Sequence, residues 1–486
     1  MGHVRLPLAE LGPRRLLLLC LLVACAPSAD LKLPASPAVT CRQDVDCPDS
    51  SEPCRFPVCR EGRCSLELAR PGTFPEQGQQ SGDCQRYLCG VGGELIARED
   101  PADLPPDDGN PCTREVCLDG APRRLPQPPG AGCGAGVCTS AGTCVGLEEI
   151  AVGRYHGCIR LGDGSVHCWG AAERGQLGGE EDTGSRVTPT PVPNLTGARA
   201  LALGGNHTCA LLQEEIVCWG ANEHGQLGDG GIRDRTLPMP VQGLRGASAI
   251  AAGLDTTCAL AQGAVFCWGL GTSGQLGNRR KSSSQLPVKV LFDAPGGSQL
   301  PVPIQISVGG GHACALLSGG QAHCWGANDH GQLGDGTVQS RAAPVAVADL
   351  DRVKQLAAGR NHTCALREDG SVWCWGLNND GQLATSDRED ARKPRRVAAV
   401  AGAVEVAAGN SHNCVRLGSG KVLCWGWNRD GQVGGDVLED ALEPVEVVAA
   451  QGALQLALGS KHSCARLRNG TFTCWGNNSR GQLGKE

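Results

Sequence analysis

The sequence has no long basic or apolar run and none of the familiar catalytic motifs. Across 486 residues with a formal net charge of −6, the longest Lys/Arg run is Arg279-Arg280-Lys281, too short for a nucleic-acid-binding surface. The apolar stretch from Leu16 to Ala24 is nine residues long, whereas a membrane span needs about twenty. No Gly-x-Ser-x-Gly, phosphate-loop, His-Glu-x-x-His or paired-carboxylate pattern occurs. We therefore predict no catalysis, cofactor, metal, nucleic-acid partner or membrane-spanning segment.

The N-terminus does have the layout of a secretory signal. Arg5, Arg14 and Arg15 precede the apolar stretch, and Leu22-Val23-Ala24-Cys25 resembles the lipobox of bacterial lipoproteins. This resemblance implies a signal peptide over residues 1–24, a lipid on Cys25 and, because Ala26 follows, sorting to an outer membrane. The alternative is ordinary cleavage that leaves an unmodified thiol. We expect an exported chain that reaches the membrane or cell surface through its N-terminal lipid only.

The cysteine count also favours export. Of 28 cysteines, Cys20 would leave with the signal and Cys25 would carry the lipid, so an even number, 26, remains to pair. In a reducing cytosol so many thiols would usually indicate metal sites, whereas in an oxidising compartment they form disulfides. We predict disulfides.

Two regions precede the main domain. Residues 25–40 are small and proline-rich, as in a spacer, and residues 41–145 form a cysteine-rich module with few large apolar residues, which needs cross-links to fold. Its pairings stay open. The segment 107–110, Asp-Asp-Gly-Asn, is either a calcium site or, as we prefer, a solvated turn. The twelve cysteines are at positions 41, 47, 54, 59, 64, 84, 89, 112, 117, 133, 138 and 144.

Residues 146–486 are periodic. A Cys-Trp-Gly triplet recurs seven times, at steps of 50, 49, 57, 50, 50 and 50 residues, which is typical of a repeat architecture. A second cysteine lies nine or ten residues before each triplet, and the two flank a β-hairpin pattern. We predict one disulfide in each hairpin: Cys158 with Cys168, Cys209 with Cys218, Cys258 with Cys267, Cys314 with Cys324, Cys364 with Cys374, Cys414 with Cys424 and Cys464 with Cys474.

Each unit also contains an Ala/Val-rich strand ahead of the hairpin and, in most copies, a strand introduced by proline, such as Pro344-Val-Ala-Val347. Four short strands per unit predict the blade of a propeller, and a closed ring removes exposed sheet edges. The predicted fold is all-β: a seven-bladed β-propeller over residues 146–486, preceded by the disulfide-rich module. One blade should lack a strand or borrow residues 140–147.

The repeat resembles that of the regulator of chromosome condensation family. The combination of Ala-Ala-Gly, His-Thr-Cys-Ala-Leu and Cys-Trp-Gly-x-Asn-x-x-Gly-Gln-Leu-Gly-Asp-Gly is nearly complete at 310–336. This resemblance implies a seven-bladed propeller that binds proteins through its faces and loops, as in bacterial secreted members that include a β-lactamase inhibitory protein. The nucleotide-exchange activity of the eukaryotic namesake does not fit an exported chain.

Two residues of the repeat leave alternatives open. A histidine precedes the first cysteine by two positions in six copies, with Thr256 in the third, and could ligate zinc or, as we prefer, hold a backbone group between strands. The tryptophan of each triplet could stack on sugars or, as we prefer, pack between blades. The histidines are His156, His207, His312, His362, His412 and His462.

Partner recognition should depend on positions where the copies differ. Trp373 and Trp427 are aromatic residues outside the repeat pattern, and the long loop 277–303 contains Arg279 and Arg280; tryptophan and arginine are frequent in binding hot spots. We expect a monomer that binds a protein at the cell surface. The alternatives are an inhibitor of an exported enzyme and a polysaccharide-binding or polysaccharide-active protein.

Overall fold

The computed structural model describes residues 40–485 apart from 129–130, 135, 140, 180–183, 294–300 and 436–437. The predicted signal peptide, Cys25 and almost all of the spacer lie outside these residues. The described part contains β-strands and two short 3-10 segments, Asp44–Asp46 and Val448–Ala450, with no α-helix and hence no helix capable of crossing a membrane. Its residues fall into two compact units, one within the bounds Met1–Asp103 and Asp119–Ala121, the other within Leu104–Leu118 and Pro122–Glu486.

The first unit is held together by cross-links. It contains two hairpins, β1 (Arg55–Arg60) with β2 (Arg63–Leu68), and β3 (Gln85–Cys89) with β4 (Leu95–Glu99). Disulfides join Cys41 to Cys59, Cys47 to Cys64 and Cys54 to Cys89. Its apolar cluster is only Cys54, Ala69 and Cys89, so disulfides replace a hydrophobic core, as the sequence predicts.

The second unit begins before the propeller. It includes β5 (Thr113–Leu118), β6 (Ala121–Pro126) and β7 (Gly136–Cys138), with disulfides between Cys112 and Cys138 and between Cys133 and Cys144. The structure groups most of residues 104–145 with the propeller, whereas the sequence places the domain boundary at 145/146. The reason is that β7 pairs with β8 (Cys144–Val152), the first strand of the propeller.

Seven antiparallel sheets follow one another along the chain, which confirms the predicted propeller. In the described residues, blades two to six each have four strands, ordered from inner to outer, and blade seven has three. Blade one has the same four strands and also β7, which pairs with its inner strand. The strands are β8, β9 (His156–Leu161), β10 (Val166–Gly170), β11 (Arg186–Pro191); β12 (Ala200–Leu203), β13 (His207–Leu211), β14 (Ile216–Gly220), β15 (Arg235–Pro240); β16 (Ala247–Ala252), β17 (Thr256–Ala261), β18 (Ala264–Gly269), β19 (Ser284–Lys289); β20 (Pro303–Val308), β21 (His312–Leu317), β22 (Gln321–Gly326), β23 (Arg341–Ala346); β24 (Val353–Ala358), β25 (His362–Arg367), β26 (Val372–Gly376), β27 (Ala391–Arg396); β28 (Ala403–Ala408), β29 (His412–Leu417), β30 (Val422–Gly426), β31 (Ala441–Glu446); β32 (Ala453–Leu458), β33 (His462–Leu467), β34 (Phe472–Gly476).

Each blade contains a disulfide between its second and third strands. The two cysteines lie directly opposite each other in the register, as Cys158 does with Cys168, and their Cα atoms are 4.1 Å apart in all seven pairs. This short separation belongs to non-hydrogen-bonded positions of an antiparallel pair, where side chains approach most closely. The hairpin register therefore places the thiols together without distorting the strands.

The outer strands of blades one to six share a proline at the same position: Pro189, Pro238, Pro287, Pro344, Pro394 and Pro444. Three residues later a buried valine donates its backbone N–H to the third strand, as Val192 does to the carbonyl of Val166 (2.8 Å). Each proline lies in the irregular stretch of this pairing, as Pro189 does between Arg186 and Thr190, and it has no N–H to offer to another chain. These prolines protect the sheet edges from pairing with other chains.

Blade one closes the ring against blade seven. Trp169 stacks on Phe472, with ring centroids 5.0 Å apart, and Val137 of β7 packs into the same cluster. The prediction that one blade lacks a strand is confirmed for blade seven within the described residues. Residues 144–147, however, extend the inner strand of blade one and do not add an outer strand to blade seven.

Candidate functional site

The tryptophans of the repeat hold neighbouring blades together. Six of them, from Trp169 to Trp425, are fully buried, and Trp475 is half-buried. Each indole N–H donates to the backbone carbonyl of the Gly-Gln-Leu glutamine, or of Gln432 in Gly-Gln-Val, in the preceding blade, at 2.8–3.0 Å. Burial rules out the sugar-stacking alternative for these six residues and confirms the packing role.

The same glutamine carbonyls anchor a second connection between blades. In blade one, Thr208 of the next blade donates its hydroxyl to the carbonyl of Gln176 (2.9 Å), so its oxygen accepts the Nε2–H of His156 (3.0 Å). The sequence reasoning had expected histidine to bind a backbone group, but its partner is a side chain of the next blade. The five such pairs are His156 with Thr208, His207 with Thr257, His312 with Thr363, His362 with Asn413 and His412 with Ser463.

The histidines of this connection are neutral. Burial lowers the pKa of His156, His312 and His412 to about 3 and that of His207, His362 and His462 to about 4. The neighbouring cysteines are in disulfides, so they offer no thiolate for zinc. The disulfides therefore occupy two of the three ligands that the zinc alternative requires.

Two blade interfaces depart from the pattern. Between blades three and four, Thr256 replaces the histidine and Ala313 replaces the hydroxyl residue, so both partners change together. Between blades seven and one, His462 is retained but the partner position is Gly157, where a Cβ would lie 2.6 Å from the Trp169 ring. Among the described residues, neither ring nitrogen of the buried His462 has a hydrogen-bond partner.

A small cavity lies on the propeller axis, where the inner strands end. The inner strands end in glycines that approach each other closely; a Cβ on Gly253, for example, would lie 2.0 Å from the carbonyl oxygen of Gly309. The cavity at this end has a volume of about 110 Å³. The residue after each glycine lines its mouth and differs among blades: Arg154, Gly205, Leu254, Gly310, Arg360, Asn410 and Ser460.

We call the surface around this mouth the channel face. It consists of the loops after the inner strands (153–155, 204–206, 253–255, 309–311, 359–361, 409–411, 459–461) and the segments after the third strands (171–174, 221–224, 270–273, 327–330, 377–380, 427–430, 477–480). Backbone hydrogen bonds join the two sets; the N–H of Ala171, for instance, donates to the carbonyl of Tyr155 (2.9 Å).

Charges of both signs lie on the channel face. Arg154 and Arg360 are exposed, and Arg174 forms ion pairs with Glu223 (2.7 Å) and with Asp234 (2.6 Å) of the neighbouring loop. Burial raises the pKa of Asp255, and burial together with the charge of Asp440 raises the pKa of Asp380. The face is therefore neither strongly acidic nor strongly basic.

The aromatic residues singled out from the sequence lie at opposite ends of the blades. Trp427 follows β30 on the channel face, where the Lys461 ammonium lies 4.9 Å from its ring centroid. Trp373 lies at the start of β26, beside the hairpin turn, with its indole N–H donating to Ser371 (3.1 Å). The two tryptophans do not form one site.

The two arginines singled out from the sequence belong neither to the channel face nor to the hairpin turn beside Trp373. Arg279 pairs with Asp293, and its N–H donates to the carbonyl of Ala342 (2.7 Å). Arg280 is exposed. The segment 277–303 is not one long loop as the sequence predicts, because β19 (Ser284–Lys289), the outer strand of blade three, lies within it. Residues 294–300 of this segment lie outside the described part of the chain.

Sequence reasoning missed Arg154, Arg360 and Lys461. These residues occupy repeat positions that vary from copy to copy, which is the sequence signal for them. Variable positions in loops are common, however, and only the structure shows which of them surround the axis.

The carboxylates at the segment 107–110 have other partners. Asp107, Asp108 and Glu115 are close enough to hold a cation. However, Asp107 accepts the N–H of Gly109 (2.8 Å), Asp108 accepts that of Asn110 (2.9 Å), and Arg124 pairs with Asp108 (3.2 Å). These contacts are those of a solvated turn.

Comparison with known proteins agrees with this geometry. The model of the RCC1-like domain matches residues 242–486, a little over half of the chain. The chain belongs to the RCC1-like domain family. Models of the regulator of chromosome condensation (RCC1) repeat match further residues of this RCC1-like propeller, at 163–211 and 215–260.

Individual relatives are distant. Human E3 ubiquitin-protein ligase HERC2 is 28% identical over 214 residues, which is 43% of this chain but only 4% of HERC2. Prp20p from Saccharomyces cerevisiae aligns with a TM-score of 0.56 and 22% identity over 68% of this chain and 82% of its own. Human WBSCR16 aligns with a TM-score of 0.60 and 21% identity over 79% and 92%. These structural likenesses show the fold.

Proposed function

We propose that this RCC1-like propeller is an exported surface lipoprotein that binds a protein partner through its channel face. The many disulfides indicate an oxidising environment, and propellers of this family commonly mediate protein interactions. Prp20p, for example, binds Gsp1p and histones. The lipid on Cys25 rests on the sequence of residues 14–26.

The observation that carries the proposal is that the recurring residues of the repeat are buried between blades, whereas variable residues lie on the channel face. The recurring histidines, tryptophans and glutamines are buried between blades, so they are unavailable to a partner. The channel face collects variable residues instead, with exposed Arg154 and Arg360 and the half-buried pair of Trp427 and Lys461. An aromatic ring and arginines on a rigid support are typical anchors of protein interfaces.

Affinity capture of surface and exported proteins tests this proposal. Arg154→Glu with Arg360→Glu should abolish capture of any partner that the full chain enriches. The control is Arg245→Glu with Lys354→Glu, which makes the same change in charge at exposed residues of the opposite end. Equal loss of capture in both variants, or no loss in either, would refute binding at the channel face.

The lipid is tested separately. Mass spectrometry of the N-terminal peptide of the membrane-bound protein should show Cys25 as a lipid-modified first residue. Cys25→Ala should release the protein from the membrane fraction. A soluble protein with unmodified Cys25 would contradict the anchor without affecting the binding proposal.

A further inference from the structure

The charged side chains at the cavity on the propeller axis, the axial cavity, are of one sign. Among the described residues that line it, Arg154 and Arg360 are the only charged ones, and no carboxylate lines it. Arg154 follows the inner strand of blade one and Arg360 that of blade five, so two blades separate them on one side of the ring and three on the other. The two arginines therefore lie on nearly opposite sides of the mouth, although the channel face as a whole carries both signs.

The protein itself neutralises neither arginine. Two other cations of the channel face, Arg174 and Lys461, form ion pairs at 2.6 and 3.2 Å. Within the described part of the chain, Arg154 and Arg360 form none. The guanidinium of Arg154 lies over the ring of Tyr155, 5.0 Å from its centroid, a contact that leaves its positive charge uncompensated.

Asp255 is the carboxylate of the channel face whose titration responds to Arg154. Burial raises the pKa of Asp255, and the charge of Arg154 acts against that rise. Asp255 does not line the axial cavity, and its oxygen accepts the side-chain N–H of Gln226 (3.4 Å). Arg154 is therefore available to a carboxylate that enters the cavity from outside.

A hydroxyl donor without an acceptor lies at the same cavity. Ser460 of blade seven lines it and is only 5% exposed. Its oxygen accepts the side-chain N–H of Asn410 (2.6 Å), so its own hydrogen points elsewhere, and the described residues offer no acceptor for it. A buried donor without an acceptor costs free energy. An acceptor oxygen placed in the cavity would remove that cost.

The size of the axial cavity limits what can enter it. Its volume is about 110 Å³, whereas a single water molecule needs about 10–15 Å³ of such space. Several heavy atoms fit, as in the end of one side chain, but a strand or a helix does not. A chain terminus would bring a backbone amide and its last side chain into the same space. A carboxylate on one or two methylene groups is the better fit.

We propose that the channel face recognises its partner through a glutamate or aspartate side chain that enters the axial cavity and pairs with Arg154 and Arg360, while Ser460 donates a further hydrogen bond. This inference rests on the proposed function, because it specifies the chemistry of the partner that binds the same face. Guanidinium groups bind carboxylates through two parallel hydrogen bonds. The partner is thus a protein with an acidic residue at the tip of a projecting loop.

A library of disulfide-closed peptide loops of random sequence tests the inference without the natural partner. Selection on the full chain should enrich loops that share a glutamate or aspartate. Replacing that residue by glutamine or asparagine in a selected loop should weaken binding at least about tenfold, because the charge-assisted hydrogen bonds are lost. Enrichment of loops without a common acidic residue, or of no loops at all, would overturn the inference.

A charge reversal provides a sharper test. Arg154→Glu with Arg360→Glu should lose the selected loops, and lysine in place of their acidic residue should restore binding, which a merely structural role of the arginines would not do. The control, Arg245→Glu with Lys354→Glu, should bind the original loops as the unaltered chain does. If the lysine loops do not bind the reversed variant, the acidic residue and the arginines are not in contact and the inference is wrong.

Phosphate is the other anion that arginines bind well. If a short single-stranded DNA displaces the selected loops as effectively as an unlabelled loop does, the cavity binds phosphate, which would also overturn the inference. Because the library contains no natural partner, failure here and failure of the proposed function are distinguishable. A captured partner that is lost with the arginine reversal but not with the control would still bind the channel face, through contacts other than an inserted carboxylate.

Discussion

At the residue scale, the most informative contact is the hydrogen bond that passes from histidine through a hydroxyl to a glutamine carbonyl. It fixes the histidine proton on Nε2, because the hydroxyl hydrogen is already given to the carbonyl. Both positions are replaced together at Thr256 and Ala313, whereas His462 is retained opposite Gly157. At the five paired interfaces, loss of the acceptor leaves a buried histidine N–H without a partner.

Thr208→Ala should lower the free energy of unfolding by about 1–3 kcal/mol, because the buried Nε2–H of His156 loses its acceptor. The double variant His156→Thr with Thr208→Ala, which recreates the combination at blades three and four, should lose less than the sum of the single variants. Chemical denaturation measures all three. Additive losses would contradict the coupling.

The neutral histidines predict acid sensitivity. Their folded pKa values, about 3 to 4, lie below the ordinary value of 6.5, so the unfolded chain binds protons first. The stabilisation is complete above pH 6.5 and is lost as the pH falls towards 4. Each histidine should cost about 1.4 kcal/mol per pH unit in this interval.

Denaturant titrations from pH 7.5 to 4 should therefore show a steeply falling midpoint. A midpoint that stays level between pH 6.5 and 4.5 would show that the histidines are protonated in the folded protein. Repeating the series with His462→Gln, which removes one titrating group at the closure, should give a shallower slope.

At the element scale, the disulfide-linked hairpin of each blade is the unit that the sequence predicts best. The cysteine spacing, the turn and the alternation between them determine two strands and their register, and all seven hairpins follow it. The channel face and the boundary at 103/104 were not predicted. Both depend on contacts between segments distant in sequence, such as β7 with the closure of the ring, which local patterns do not encode.

Removing the disulfide of blade five, by Cys364→Ala with Cys374→Ala, should lower the free energy of unfolding by roughly 2–3 kcal/mol. The reason is that a loop of ten residues regains its conformational freedom in the unfolded chain. Thermal unfolding measures the loss, and non-reducing peptide mapping should verify that the other six propeller pairs are intact. An unchanged midpoint would show that the strands alone hold this hairpin.

At the scale of the whole molecule, side-chain contacts join blades one and seven in the described residues. Blades one and seven meet through the stacked Trp169 and Phe472, beside Val137. Six blades have complete sheets, while the seventh has an uncovered edge in the described residues. Opening should therefore begin at this interface.

Phe472→Ala should cost about 2–3 kcal/mol, because Phe472 is half-buried and stacked. Hydrogen exchange should accelerate first in β8–β10 and β32–β34. Val397→Ala, a buried change inside blade five, is the control and should not produce this distribution. The same acceleration in every blade would contradict opening at the closure.

The hairpin disulfides also set how far the protein can be drawn out under tension. Each blade holds about fifty residues, which could extend by roughly 170 Å, but the nine or ten residues inside its disulfide loop cannot be pulled straight. Each disulfide thus shortens the fully extended length of its blade by about 30 Å. In a force-extension measurement, unfolding of each blade should therefore lengthen the chain by a shortened step, and a reducing agent should restore the missing length.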